Sequence, residues 1–128
     1  MEMAMNQALA TYRSTQVNSA SPETLILMLY RGALKQVRSA LKALEGGQVQ
    51  EASNGLVKAQ DIVIELRTSL NPQAGDMSTN LAALYEYVHD RLVLANMRKE
   101  APPAQQALEV LEGLTEAWAA MIRLGAQQ

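Results

Sequence analysis

Helix-breaking residues recur along this chain at intervals regular enough to leave little freedom of fold. Ser21-Pro22, Gly46-Gly47, Asn71-Pro72 through Gly75, and Pro102-Pro103 divide it into four segments, each long enough for one helix of a small bundle. Within every segment the apolar residues return with a period near 3.6, and nowhere do they alternate with period two, so strands are not expected. At about 100° per residue, Ile26, Tyr30, Ala33, Val37, Leu41 and Leu44 share one side of the first segment. The second segment aligns Val49, Ala52, Leu56, Ala59, Val63, Leu66 and Leu70; the third aligns Leu81, Leu84, Tyr85, Val88, Leu92 and Ala95. The fourth aligns Ala107, Leu111, Leu114, Trp118 and Met121 with Ile122.

Local signals place the ends. Ser21 offers a side-chain acceptor to free amides, Pro22 a preset φ, and Glu23 a negative charge at the positive end of the dipole, so the first helix runs from there to Leu44. The second spans about Gln48 to Leu70. The third spans about Met77 to Arg98, with Asp76 or Ser78 as its cap, and the fourth follows Pro103. Short connections favour antiparallel neighbours, which predicts an all-α, up-down-up-down four-helix bundle over residues 21–128. Residues 1–20 read as a movable N-terminal arm. Its Ala8, Leu9, Tyr12 and Val17 are spaced like a short helix or an extended piece, too weak to stand alone but able to lie on a bundle surface.

Composition narrows the functional classes. Aromatic residues make up only 4% of the chain, with no Phe, so Leu, Val, Ile, Met and Ala must fill the interior. Without a single Cys there are no disulfides, thiolate nucleophiles or Cys-held metals, which agrees with a cytoplasmic location. The start of the chain carries Glu2 and lacks a secretion signal, and the longest apolar run, Leu25 to Tyr30, is far too short for membrane insertion. A formal charge of -2 gives no overall field to attract nucleic acid.

Catalytic constellations fail one by one. A di-iron bundle needs two Glu-x-x-His pairs, and the chain has only Glu86 with His89, its sole histidine, which the helical period puts beside the core stripe and on the surface. No Gly-x-Ser-x-Gly turn occurs, and Gly46-Gly47 lacks the Lys-Ser or Lys-Thr of a phosphate loop. The expectation is a noncatalytic protein with no metal and no cofactor.

Two features exceed what a bundle needs. The six-residue run Leu25 to Tyr30 gives the first helix a second apolar side, with Leu25, Met28 and Gly32 roughly opposite the core and Leu29 at its margin. Either the arm covers that side, through Leu9, Tyr12 or Val17, or it is a groove for a partner helix in which Gly32 permits close approach and Met28 adapts its shape; an arm that leaves when a partner arrives satisfies both. The other feature is a ridge of bases, Arg31, Lys35, Arg38 and Lys42. With no aromatics interleaved to stack bases, it reads first as a solvated face, and only secondarily as a site for an acidic partner or a nucleic-acid backbone.

These residues resemble a known family, the flagellar secretion chaperones called FliS. Tyr12 to Leu34, reading YRSTQVNSASPETLILMLYRGAL, is similar to the family's opening: a Tyr, a Val, Ala-Ser-Pro-x-x-Leu, then Met-Leu-Tyr-x-Gly-Ala. Lys58 to Leu66, Asn80 to Asn96 and Trp118 resemble its second, third and fourth helices. The chain departs from the pattern at Arg31, where an acidic residue is common, at Asp90 and in the loop Asn71 to Asp76, which keeps one Gly of a usual pair. The resemblance implies an export chaperone whose partners are the C-terminal segment of flagellin and, together with it, the flagellar export gate, with no nucleic acid among them. It implies a partner surface of Leu25, Met28, Leu29 and Gly32, with Tyr12 and Val17 as the competing arm and Tyr85, Leu92 and Asn96 as further contacts. The alternative is a helical adaptor with another client, or one that associates with itself as a weak homodimer.

Overall fold

The computed structural model describes residues 21–126, and within them four helices close a bundle: α1 Pro22–Glu45, α2 Val49–Thr68, α3 Asp76–Arg98 and α4 Ala101–Ala126. A single 3-10 turn, Pro72–Ala74, joins α2 to α3, and the described residues contain no strand. Each helix packs on the next, and α4 packs back on α1, so the ring is closed. The predicted up-down-up-down topology is the observed one. The arm, with Tyr12 and Val17, lies outside the described residues.

The helix ends show both what local chemistry dictates and where it gives way. At the start of α1 the Ser21 hydroxyl accepts from the amide of Thr24 at 3.2 Å, with Pro22 in the first turn. At its end, Gly47 takes a φ of 71° and lets Gln48 N donate to Ala43 O at 2.8 Å, the wrap that satisfies otherwise orphaned carbonyls. The expected cap of α3 is absent: neither Asp76 nor Ser78 caps it, because Gly75 turns in at φ 70° and Ser78 is buried, donating its hydroxyl to Asn71 O. Helix α4 begins two residues before Pro103, not after it. Pro102 and Pro103 fit its first turn because amides there have no helical acceptor to lose.

The core is built from medium and small side chains. Tyr30, Val37, Leu56, Val63, Leu66, Val88, Leu92 and Leu111 are fully buried, with Ala33, Ala40, Ala59, Ala95, Ala104 and Ala107 between them. Small residues set the spacing of α1 and α2: at Gly55 a Cβ would lie 3.0 Å from Gln36 O and 3.1 Å from Ala40 Cβ. The buried stripe of α1 is broader than expected, taking in Leu27 and Leu34, while Ile26, Leu41 and Leu44 lie at its margins. Three residues assigned to core stripes face solvent instead: Val49, Leu84 and Met121. Val49 opens α2, where no neighbour reaches over it; Leu84 precedes Tyr85, which takes the inward position; Met121 lies in the last turns of α4.

Candidate functional site

The first half of α1 carries more apolar surface than the interior takes up. Of the run Leu25 to Tyr30, only Leu27 and Tyr30 are buried; Leu25, Ile26, Met28 and Leu29 stay half-buried. Leu29 leans on the core cluster, and Leu25 and Met28 are not part of it. Neither is enclosed among the other helices. Gly32, expected to admit a partner backbone, faces α2: a Cβ there would lie 3.5 Å from Ile62 Cδ1, an ordinary contact that already fills part of this space. The second apolar side of α1 is therefore the rim of the seam between α1 and α2.

Beside this rim the first turn of α1 is held by a bond from a distant residue. Trp118 Nε1 donates to the carbonyl of Glu23 at 2.8 Å, linking α4 to the first turn of α1. The indole meets Tyr30 edge-on at 6.1 Å, and the Tyr30 and Tyr85 hydroxyls share a hydrogen bond in the core. Burial pushes both phenols above their ordinary range, the more so for Tyr85, so both stay neutral.

The remaining expected contacts fall elsewhere. Tyr85 and Leu92 are interior residues on the inward stripe of α3, not part of the exposed surface. Asn96 is half-buried and engaged, its side-chain oxygen accepting from Lys99 Nζ at 2.8 Å, while Lys99 itself closes α3 in the left-handed region at φ 54°. The alignment of apolar residues also does not foresee an exposed set along the first half of α3 and at the end of α4: Met77, Leu84 and Tyr87, with Met121 and Leu124. The signal was present in the spacing of Met77, Leu84 and Tyr87, seven and three residues apart, a second face on α3 like that on α1.

The other features of the surface carry no reactive arrangement. His89 lies on the seam of α2 and α3, beside Asp90 at 3.9 Å, in a shallow groove with Ile64, Arg67 and Glu86. Among the described residues no three His, Asp or Glu side chains gather to hold a metal ion, and no helix is long and apolar enough to cross a membrane. In the basic ridge, Arg38 pairs with Glu112 of α4 at 3.1 Å, both ends well exposed.

A closed antiparallel bundle of four helices with a half-buried apolar rim on its first helix defines a class of fold, the all-α four-helix bundle. Comparison with known proteins gives the family. The model described as flagellar protein FliS matches residues 5–125, and the chain belongs to that family, whose members are chaperones and not enzymes. It is 34% identical over 116 residues to the flagellar secretion chaperone FliS of Bacillus subtilis, covering 91% of this chain and 86% of that protein. It is 38% identical over 104 residues to the protein of the same name from Salmonella typhimurium, covering 80% and 77%. A solved structure described as a flagellar chaperone from bacteria shares the fold at a TM-score of 0.75 and 20% identity, over 91% of this chain and 96% of that one.

Proposed function

We propose that this protein is a cytoplasmic export chaperone that holds the C-terminal segment of flagellin, keeps it from assembling early, and brings it to the flagellar export gate. The observation that carries the reading is the half-buried set Leu25, Met28 and Leu29 on a helix whose other side already fills the core, in a chain of the FliS family. A disordered client with apolar faces needs a surface of this kind. Left alone, such a segment finds another copy of itself, whereas each large apolar side chain buried on the rim contributes about 1.5 to 3 kcal/mol. The exposed Met77, Leu84, Met121 and Leu124 extend the apolar area to a second face, which suits a client that wraps around the bundle rather than sitting in one groove. Tyr12 and Val17, in the arm, are the residues proposed to compete for the rim of α1.

Calorimetry with the flagellin C-terminal segment from the same organism tests the reading. Saturable binding with a negative heat-capacity change is expected, and no binding at tens of micromolar would overturn it. A Leu25→Asp, Met28→Asp variant should keep its helical spectrum and bind at least tenfold more weakly. Unchanged binding would move the docking surface off α1.

A further inference from the structure

The bond from Trp118 to Glu23 is more than the core requires. Trp118 stands 95 residues from Glu23 in sequence, and its indole N–H reaches out of the packed interior to a carbonyl in the exposed first turn of the facing helix. Ends of helices open locally at little cost, because their first amides have no acceptor inside the helix. This end matters, since Leu25 and Met28 lie in the first two turns of α1. Two devices hold the turn: the Ser21 cap, which is local, and the Trp118 indole, which is anchored edge-on to Tyr30 and through it to Tyr85 on α3. From this geometry we infer that Trp118 is a positioning residue, whose indole N–H pins the first turn of α1 and presets the Leu25 and Met28 rim for the client.

The inference rests on the docking surface proposed above, but its first consequence does not need a client. A protein whose binding-competent state is only partly populated binds with an apparent affinity reduced by that fraction. A hydrogen bond of ordinary net worth corresponds to a factor of about 3 to 10 in such an opening equilibrium. Trp118→Phe keeps a ring against Tyr30 and removes the N–H. In the free variant, amide exchange at Leu25, Ile26 and Leu27 should quicken about 3- to 10-fold while amides of the buried middle of α2 exchange as before. Affinity for the flagellin segment should fall by a similar factor.

Unchanged exchange at those three amides overturns the inference, and so does faster exchange with unchanged affinity. If the segment binds neither the parent protein nor the variant, the chaperone reading fails, while the exchange rates still decide whether the indole pins the turn. Should Trp118→Phe not fold, Ser21→Ala loosens the same turn from its other side. Faster exchange there without weaker binding is then the overturning result.

Discussion

Two pairs of residues show how finely this bundle is set. Tyr30 and Tyr85 are both nearly inaccessible, and each hydroxyl answers the other. Tyr85→Phe strands the Tyr30 hydroxyl in the core and should cost about 1 to 3 kcal/mol in denaturant unfolding, and Tyr30→Phe should do the same to its partner. The double variant should cost clearly less than the sum, because no polar group is then left alone. Gly55 and Gly113 make the second pair, both inside helices and opposite in consequence. A Cβ at Gly55 presses on the carbonyl of Gln36 and on Ala40 across the α1 and α2 contact, so Gly55→Ala should destabilise by about 1 to 3 kcal/mol despite its better helix propensity. A Cβ at Gly113 meets nothing within 4 Å, so Gly113→Ala should stabilise by up to about 1 kcal/mol. Thermal or urea unfolding reads both signs.

At the scale of the helices, the sequence discloses the elements better than their seams. Ser21, Gly46-Gly47 and Asn71-Pro72 announce their boundaries because capping and turn chemistry are local, and the structure uses all three. Pro102-Pro103 misleads by three residues, since a proline pair stops one helix and opens the next with equal ease. Periodicity finds the inward side of each helix, hence buried Tyr30, Ala33 and Val37 on α1, but it misses Leu34, Ala40 and Ala43 there, and it weighs Leu84 and Tyr85 alike although they sit about 100° apart. Which of them turns in depends on the neighbour across the seam, and that is tertiary information. The same limit explains the site. Leu25 and Met28 could be recognised as surplus to the core, yet nothing in the spacing shows that Gly32 meets Ile62 or that Trp118 reaches Glu23. The Ser21 cap is the plainest test at this scale: Ser21→Ala should lose about 1 kcal/mol of stability by thermal unfolding, concentrated in the first turn of α1.

Charge acts on the molecule as a whole, and here it is arranged to matter little to binding and measurably to stability. Of the bases on α1, Arg38 reaches across to Glu112 of α4 at 3.1 Å, and the chain's formal charge is only -2, so the molecule as a whole presents no strong field of one sign. Client affinity should therefore change little between low and physiological salt, whereas a phosphate-binding surface would lose orders of magnitude. Stability carries one charge penalty. Asp61 on α2 is half-buried, and burial raises its carboxyl above the ordinary 3.8, an effect that nearby positive charge, His89 included, only partly offsets. A raised acid binds its proton more tightly in the folded chain than in the unfolded one. Below 3.8 both states are protonated and nothing is lost; as pH climbs from there through the raised folded value, stability falls, and above it the penalty is constant. Asp61→Asn removes the titration and keeps the shape. Its advantage over the parent protein should be smallest below the ordinary carboxylate range, grow as pH rises through the raised folded value and level off above it in unfolding curves taken across that span; an advantage that shrinks with rising pH would mean the folded protein favours the Asp61 carboxylate, the opposite of what its burial requires.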